Sequence, residues 1–264
     1  MGSIQGKTIW VTGASSGIGK SLVLALSSYP CNLILSSRRE EELIKVKALC
    51  GNTDNIAILP LDLKNHEAME MIAQKAISFY GKVDILVNNA GISQRSLIKN
   101  TKLEVYGQLM DINYLGTVAL SKAILPHFIA NKAGHYVTIT SLMGKFGSPY
   151  RSGYCGAKHA LHGFFDVMRM EHEKDGVKVT MVCPGFVRTN VAKNALTADG
   201  SPQQNDDVAT KNGISPEVAA KKIITAIEKD KFEVYVGGKE VKGIYLKRFF
   251  PKLLHKMVLK SQVR

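Results

Sequence analysis

Seven short apolar runs rich in β-branched residues recur along this 264-residue chain, each separated from the next by a longer stretch with helical spacing. The runs are Lys7–Thr12, Asn32–Ser37, Ile56–Leu61, Val83–Asn88, His135–Thr140, Val177–Cys183 and Phe232–Val236. They do not alternate cleanly between apolar and polar residues, as expected of strands buried on both faces. Helical patterns such as Glu40–Leu49, His66–Phe79 and the long Leu103–Ala130 fill the gaps. Repeated β-α-β order specifies an α/β fold: a doubly wound parallel sheet of about seven strands in a three-layer, Rossmann-type arrangement. With 45% hydrophobic residues the chain can bury one full core.

Two regions break the rhythm. Asn190–Gly213 is rich in Asn, Asp, Thr, Gln and Gly without periodicity, and reads as a long mobile loop, a candidate substrate lid. It ends at Ser215-Pro216-Glu217, a helix start with a cap and a first-turn proline. The second region is the tail. The formal net charge is +13, and from Lys229 onward ten Lys/Arg stand against three Asp/Glu. The expected organisation is a dinucleotide-binding and catalytic domain over residues 1–240, with the lid at 190–213, and a basic amphipathic extension over 241–264.

Composition narrows the setting. Cys31, Cys50, Cys155 and Cys183 lack close pairing, so reduced, buried thiols are expected and no metal site is read from them. A strand-like run begins by Lys7, leaving no room for an export signal, and no run approaches the ~20 apolar residues of a membrane span. A cytoplasmic protein is the expectation.

The first strand runs directly into Thr12-Gly13-Ala14-Ser15-Ser16-Gly17-Ile18-Gly19 and an apolar helix. Glycines let the backbone turn tightly and approach a diphosphate, while the helix N-terminus supplies unpaired N–H groups and positive potential. A glycine-rich loop alone is weak evidence; its place between first strand and first helix makes it a nucleotide cradle.

Thr12 to Gly19 matches the TGxxxGIG motif at every fixed position, and here the sequence resembles the short-chain dehydrogenase/reductase family as far as about Gly238. NAD-specific dinucleotide enzymes usually end the second strand with an acid on the ribose 2′-hydroxyl. This one ends Ser36-Ser37-Arg38-Arg39. A guanidinium can grip a 2′-phosphate with paired hydrogen bonds, so the cofactor is read as NADP(H), with Arg38 the main contact and Arg39 and Ser37 helping. Glu40, Glu41 and Glu42 could pair with these arginines and blur the preference. The resemblance implies that Asp62, with Leu63, meets the adenine, and that the NNAG string Asn88-Asn89-Ala90-Gly91 lets the cofactor pass close to Asn89, Ala90 and Gly91.

Tyr154 and Lys158 form a Y-x-x-x-K on one helix face, able to address the same small volume. A free phenol titrates at about 10, and a nearby cation favours the phenolate and lowers that value. Lys158 should also hold the nicotinamide ribose. A lone Y-x-x-x-K is usually a surface pair, but Ser141 ends the fifth strand, where an α/β sheet opens its ligand crevice. Its hydroxyl can hold a substrate oxygen as charge develops. Asn113 is an interior helix asparagine that, by the resemblance, kinks its helix and completes a catalytic tetrad through a water next to Lys158. Pro184, Gly185, Val187 and Thr189 resemble the PGxxxT segment that shapes the nicotinamide pocket.

Leu142, Met143, Phe146, Pro149 and Tyr150, with Lys145 and Arg151 as the few charges nearby, are read as the substrate wall, favouring a small hydrophobic carbonyl or alcohol. The tail from Gly243 to Lys260 alternates apolar and basic residues, with Pro251 starting a second helix or kinking the first. It can lie on an anionic membrane surface, or pack on its own domain or another subunit. It is similar to the tails of membrane-associated steroid- and retinoid-type reductases. The resemblance also implies a homodimer or homotetramer. No nucleic-acid-binding fold or stacking pattern is present. The rival classes are a non-catalytic NADPH sensor, for which the intact tetrad has no use, and a sugar-nucleotide epimerase or dehydratase, which needs a larger C-terminal domain.

Overall fold

Strands β1 (Thr8–Thr12), β2 (Asn32–Ser36), β3 (Ile56–Ile58), β4 (Ile85–Asn88), β5 (Gly134–Ile139), β6 (Val177–Pro184) and β7 (Glu233–Val236) form one parallel sheet in the order β3-β2-β1-β4-β5-β6-β7. The structure is a computed structural model and describes residues 4–261. Helices α1 (Gly17–Leu26), α2 (Glu40–Ala48), α3 (Met69–Tyr80), α4 (Leu103–Met110), α5 (Gly116–Ala130), α6 (Ser152–Glu171), α7 (Val208–Lys211) and α8 (Pro216–Glu228) follow in chain order. Helices α9 (Lys242–Phe249) and α10 (Pro251–Lys260) close the described chain.

The unbroken apolar runs have their cause in two cores, one on each side of the sheet. Ile9, Val11, Leu33, Leu35, Val87 and Val137 pack against residues of α1, α2 and α8. Their neighbours Trp10, Ile34, Leu86 and Tyr136 face the opposite way, toward α3, α5 and α6. The central strands β1, β4 and β5 are therefore buried at every position, at roughly 1.5–3 kcal/mol for each large apolar side chain. The two polar ends inside are satisfied: Trp10 Nε1 donates to Ser36 Oγ at 2.8 Å and Tyr136 OH to the Ser121 carbonyl at 2.7 Å.

Strand order reverses between β1 and β4, so the carboxyl ends of these strands open the ligand crevice expected of a doubly wound sheet. Three boundaries differ from the sequence reading. The third strand is regular only to Ile58 rather than Leu61, although the Leu59 and Leu61 N–H groups still donate to the Leu35 and Ser37 carbonyls at 2.9 and 3.0 Å, so contact with β2 runs on past Pro60. The fourth begins at Ile85 rather than Val83, because the Asp84 carboxylate accepts the Thr8 N–H at 2.8 Å. The long Leu103–Ala130 helix is interrupted by a π turn, Asp111–Leu115, that carries Asn113.

Segment 190–213, read from the sequence as a mobile loop, is packed onto the domain in the structure. Ala192 and Ala195 are fully buried, Leu196 bridges to Gln94, and Asp207 is 1% exposed just ahead of α7. The tail does form two helices with Pro251 opening the second. Leu254 and Gly243 dock onto Leu142, Phe146 and Cys183, while Phe249, Phe250, Leu253, Met257 and Leu259 stay exposed. Among the described residues no helix is long and apolar enough to cross a membrane.

Candidate active site

The glycine turn after β1 is built by close approach. Gly17 adopts φ +54°, and a Cβ on Gly19 would sit 2.3 Å from the Gly13 carbonyl oxygen and 2.5 Å from Asn89 Nδ2. Asn89 fixes the turn by donating from Nδ2 to the carbonyls of Thr12 at 2.9 Å and Gly13 at 3.2 Å. Thr12 Oγ1 in turn accepts the N–H groups of Asn89 and Ala90 at 3.0 and 3.1 Å. The NNAG string and the glycine turn are thus one unit across the β1/β4 switch.

Helix α1 begins at Gly17 with no side-chain cap and no acid in its first turn. Its leading N–H groups and positive dipole end face the crevice, beside the partly buried Ser15 and exposed Ser16, an anion site by construction. Thr189 reaches the same place, since a Cβ on Gly17 would meet Thr189 Cγ2 at 3.1 Å. Arg38 and Arg39 are exposed just past β2, with the Ser37 hydroxyl donating to the Arg39 carbonyl at 3.2 Å. Among the described residues neither arginine forms an ion pair; Glu42 is taken by Lys45 at 2.7 Å. A dinucleotide carrying an extra phosphate fits this donor set.

The other expected contacts divide. Asp62 is exposed and holds a turn, accepting the Lys64 N–H at 3.0 Å. The Leu63 and Val187 side chains lie in the cores, at 6% and 5% exposure, so only their backbones can meet a ligand. Ile18 is partly buried against the same core as Val187. Pro184 ends β6, and the Gly185 N–H is spent on the Val236 carbonyl at 2.9 Å.

Helix α6 starts beneath the end of β5 and brings the catalytic candidates together. Ser141 Oγ donates to the Pro184 carbonyl at 3.3 Å and accepts the Met143 N–H at 3.1 Å; it lies beside the Tyr154 phenol, and turning its hydroxyl toward the phenolate would favour that form. Lys158 Nζ lies 5.8 Å from the Tyr154 ring centre and donates to the Ile139 carbonyl at 2.9 Å. Asn113 is fully buried; its Oδ1 accepts the Ile92 N–H at 2.8 Å and its Nδ2 donates to the Ile92 carbonyl at 2.9 Å. Gly91 marks where they converge, because a Cβ there would be 2.9 Å from Asn113 Oδ1 and 3.6 Å from Lys158 Nζ.

A profile described as short chain dehydrogenase matches residues 7–200. The chain belongs to the short-chain dehydrogenase family. It is 37% identical over 265 residues to "Dehydrogenase/reductase SDR family protein 7-like" of Anopheles gambiae, covering 98% of this chain and 84% of that protein. To human "Dehydrogenase/reductase SDR family member 7" it is 45% identical over 197 residues, 72% of this chain and 58% of the human protein. Among solved structures, a short-chain dehydrogenase from Streptomyces avermitilis superposes with a TM-score of 0.81 at 26% identity, covering 97% of this chain and 98% of that one. A Burkholderia phymatum short-chain dehydrogenase/reductase in complex with NAD gives 0.84 at 21% identity over 96% of each chain, which speaks to the fold.

Within this short-chain dehydrogenase site the electrostatics differ from the sequence expectation in one respect. Burial raises the Tyr154 phenol, outweighing the Ser141 hydrogen bond and the Arg95 charge, both of which lower it. Burial also brings Lys158 down to about 8. Lys158 therefore sits closer to neutrality than a surface lysine, and the protein's own charges leave the phenol protonated near pH 7.

The substrate wall is also corrected. Leu142 and Phe146 are interior residues under the tail, and Arg151 is 4% exposed, not a rim charge. Pro149 and Tyr150 do line a depression of about 330 Å³ with Leu97 and Ile98. Sequence reasoning missed Gln94, Arg95 and Asp207 altogether. Gln94 Oε1 accepts the N–H groups of Gly153 at 2.7 Å and Tyr154 at 3.3 Å, holding the first turn of the catalytic helix. It also missed that His162, Cys183 and Glu233, far apart in sequence, lie within 4.8 Å of one another, with Glu233 engaged by Lys145 at 2.6 Å.

Proposed function

We propose that this short-chain dehydrogenase is an NADP(H)-dependent oxidoreductase acting on a hydrophobic carbonyl/alcohol pair, with Tyr154 as the proton donor or acceptor. The observation that carries this is the convergence of Ser141, Tyr154 and Lys158 at the carboxyl edge of β5, beside a glycine cradle with a bare helix N-terminus. When bound, the dinucleotide supplies or accepts the hydride. Ser141 holds the substrate oxygen, and in reduction the Tyr154 hydroxyl gives its proton to that oxygen. In oxidation the phenolate takes the alcohol proton. Lys158 favours that phenolate and is placed to bind ribose hydroxyls, and Asn113 keeps its helix open next to Lys158.

The NADP(H) assignment rests on Arg38 and Arg39, exposed after β2 with no acid at the strand end. Fluorescence titration with NADPH and NADH tests it. NADPH should bind more tightly, and Arg38→Glu should weaken NADPH about 30- to 100-fold while changing NADH by less than about threefold. Equal affinities in the wild-type protein would reject the assignment.

We also place the protein in the cytoplasm, as a homodimer or homotetramer that meets anionic membrane surfaces through α10. The exposed Leu253, Met257 and Leu259 lie among Lys252, Lys256 and Lys260 on that helix. Truncating the tail would uncover the Phe146 cluster, so substitution is the cleaner test. Leu253→Glu with Met257→Glu should abolish co-sedimentation with phosphatidylserine vesicles. Unchanged pelleting would reject membrane docking.

A further inference from the structure

The segment 190–213 is tied down by charge as well as by packing. Asp207, with a fully buried carboxylate, accepts from Arg95 Nε at 2.8 Å and Arg95 Nη2 at 2.5 Å, and from Arg151 Nη2 at 3.1 Å. Arg95 Nη1 reaches back to Ser93 Oγ at 2.8 Å and to the Gln94 carbonyl at 2.7 Å, so every face of the guanidinium is used. The backbone repeats the link: the Arg95 N–H donates to the Leu196 carbonyl at 2.8 Å, and the Leu196 N–H to the Ser93 carbonyl at 2.9 Å.

Both ends of this strap lead to the phenol. Gln94, next to Arg95, holds the Gly153 and Tyr154 N–H groups. Leu196 packs with Val105 and Leu109 in the small cluster against which Tyr154 itself rests. Arg151 immediately precedes α6.

We propose that Arg95 and Asp207 are positioning residues: their buried ion pair latches segment 190–213 to the loop after β4 and to the start of α6, so that substrate cover and catalytic phenol are set as one rigid unit. This deepens the functional reading above and rests on it for the role of Tyr154. The segment is then a fixed wall, and substrate enters beside Leu97, Ile98 and Tyr150 instead of beneath a swinging lid. The charged or titratable groups around the phenol are Lys158 and Cys155 on its own helix, Arg151 before it and Arg95 across from it, with the Ser141 hydroxyl. Arg95 lowers the phenol, against the desolvation that raises it.

The test uses two readouts that need no identified substrate. One is amide hydrogen exchange over 192–204 and 152–156. The other is the Tyr154 phenol midpoint from absorbance at about 295 nm, taken as the difference from Tyr154→Phe with NADP⁺ bound to both proteins. Arg95→Gln should accelerate exchange in both segments and raise the phenol midpoint by about one pH unit, since an opposite charge is withdrawn. Arg95→Lys, which keeps the charge and loses the fork, should restore the midpoint while leaving 192–204 faster than wild type. If Arg95→Gln does not fold, Arg95→Lys and Asp207→Glu still read the latch through exchange in 192–204 and 152–156. A midpoint unmoved by Arg95→Gln, or exchange accelerated evenly across the chain, would overturn the proposal in favour of a plain structural ion pair. The failure of the functional reading looks different: Tyr154→Phe would keep turning over carbonyl compounds while these two readouts stayed as expected.

Discussion

Replacing Tyr154 with phenylalanine is expected to lower kcat by about 10²–10⁴-fold for any carbonyl compound that the wild-type enzyme reduces, with the NADPH dissociation constant changed by less than about threefold. The substitution removes one hydroxyl and leaves the ring, which fills the same space against Val105, Leu109 and Leu196. In the proposed reading, cofactor affinity is drawn from other groups: the bare start of α1, the Asn89-fixed turn and Arg38. A loss confined to kcat therefore isolates proton transfer. Lys158 is less informative, because the proposed mechanism gives it two roles, toward the phenol and toward the ribose. A Tyr154→Phe enzyme within about threefold of wild-type kcat would end the acid–base assignment. A variant that also lost NADPH would place the tyrosine in binding.

The second large effect concerns acid. His135 and His162 are each held down to about 4 by burial, against an ordinary value of 6.5. Thr180 Oγ1 donates to the Lys231 carbonyl at 2.6 Å, which leaves His135 Nε2–H to donate to that oxygen at 2.8 Å and sets the tautomer of the neutral ring, while burial disfavours its charged form. For His162, Lys145 reinforces the depression, and Glu233, 3.7 Å away, does not reverse it. Because the folded values lie below the unfolded ones, the unfolded chain binds more protons between pH 6.5 and 4. Stability is thus complete above about 6.5 and falls as pH drops toward 4. Each histidine accounts for about 3 kcal/mol, so the pair removes about 6 of the 5–15 kcal/mol typical of a domain. Asp84 and Asp207 are depressed carboxylates and add their losses only at lower pH. Urea unfolding followed by the single, buried Trp10 at pH 7, 5.5 and 4.5 reads the slope directly. His135→Gln should flatten it by about half; a stability independent of pH across this window would contradict the buried neutral pair.

Much of this site could be read from the chain because its parts are local. The glycine turn, the Asn-Asn-Ala-Gly string and the four-residue step from Tyr154 to Lys158 are each set by backbone geometry within one turn, and local geometry leaves a spacing. Ser141 and Asn113 gained meaning from where they fall on elements that periodicity had already outlined. The latch left no such mark. Arg95 and Asp207 are 112 positions apart, and nothing in a polar, aperiodic stretch distinguishes a buried aspartate from a solvated one. The same ambiguity misplaced Leu142 and Phe146, whose apolar character serves a core under the tail as well as it would a substrate wall. Strand limits slipped where one residue overrode a pattern, as Asp84 does at the start of β4.

The π turn at Asp111–Leu115 has a further consequence for how this helix can change. A π turn amounts to one residue inserted into an α-helix, stored as a bulge. Deleting one residue among 111–115 would let the helix close up as regular α while α4 and α5 kept their rotational phase against the sheet. Such a deletion is therefore cheap for the fold, yet it withdraws the Asn113 amide from the Ile92 backbone, which it grips at both ends. A position where this scaffold readily loses a residue thus coincides with one that the proposed chemistry uses, so on that reading a shortened descendant would keep its shape and surrender its activity.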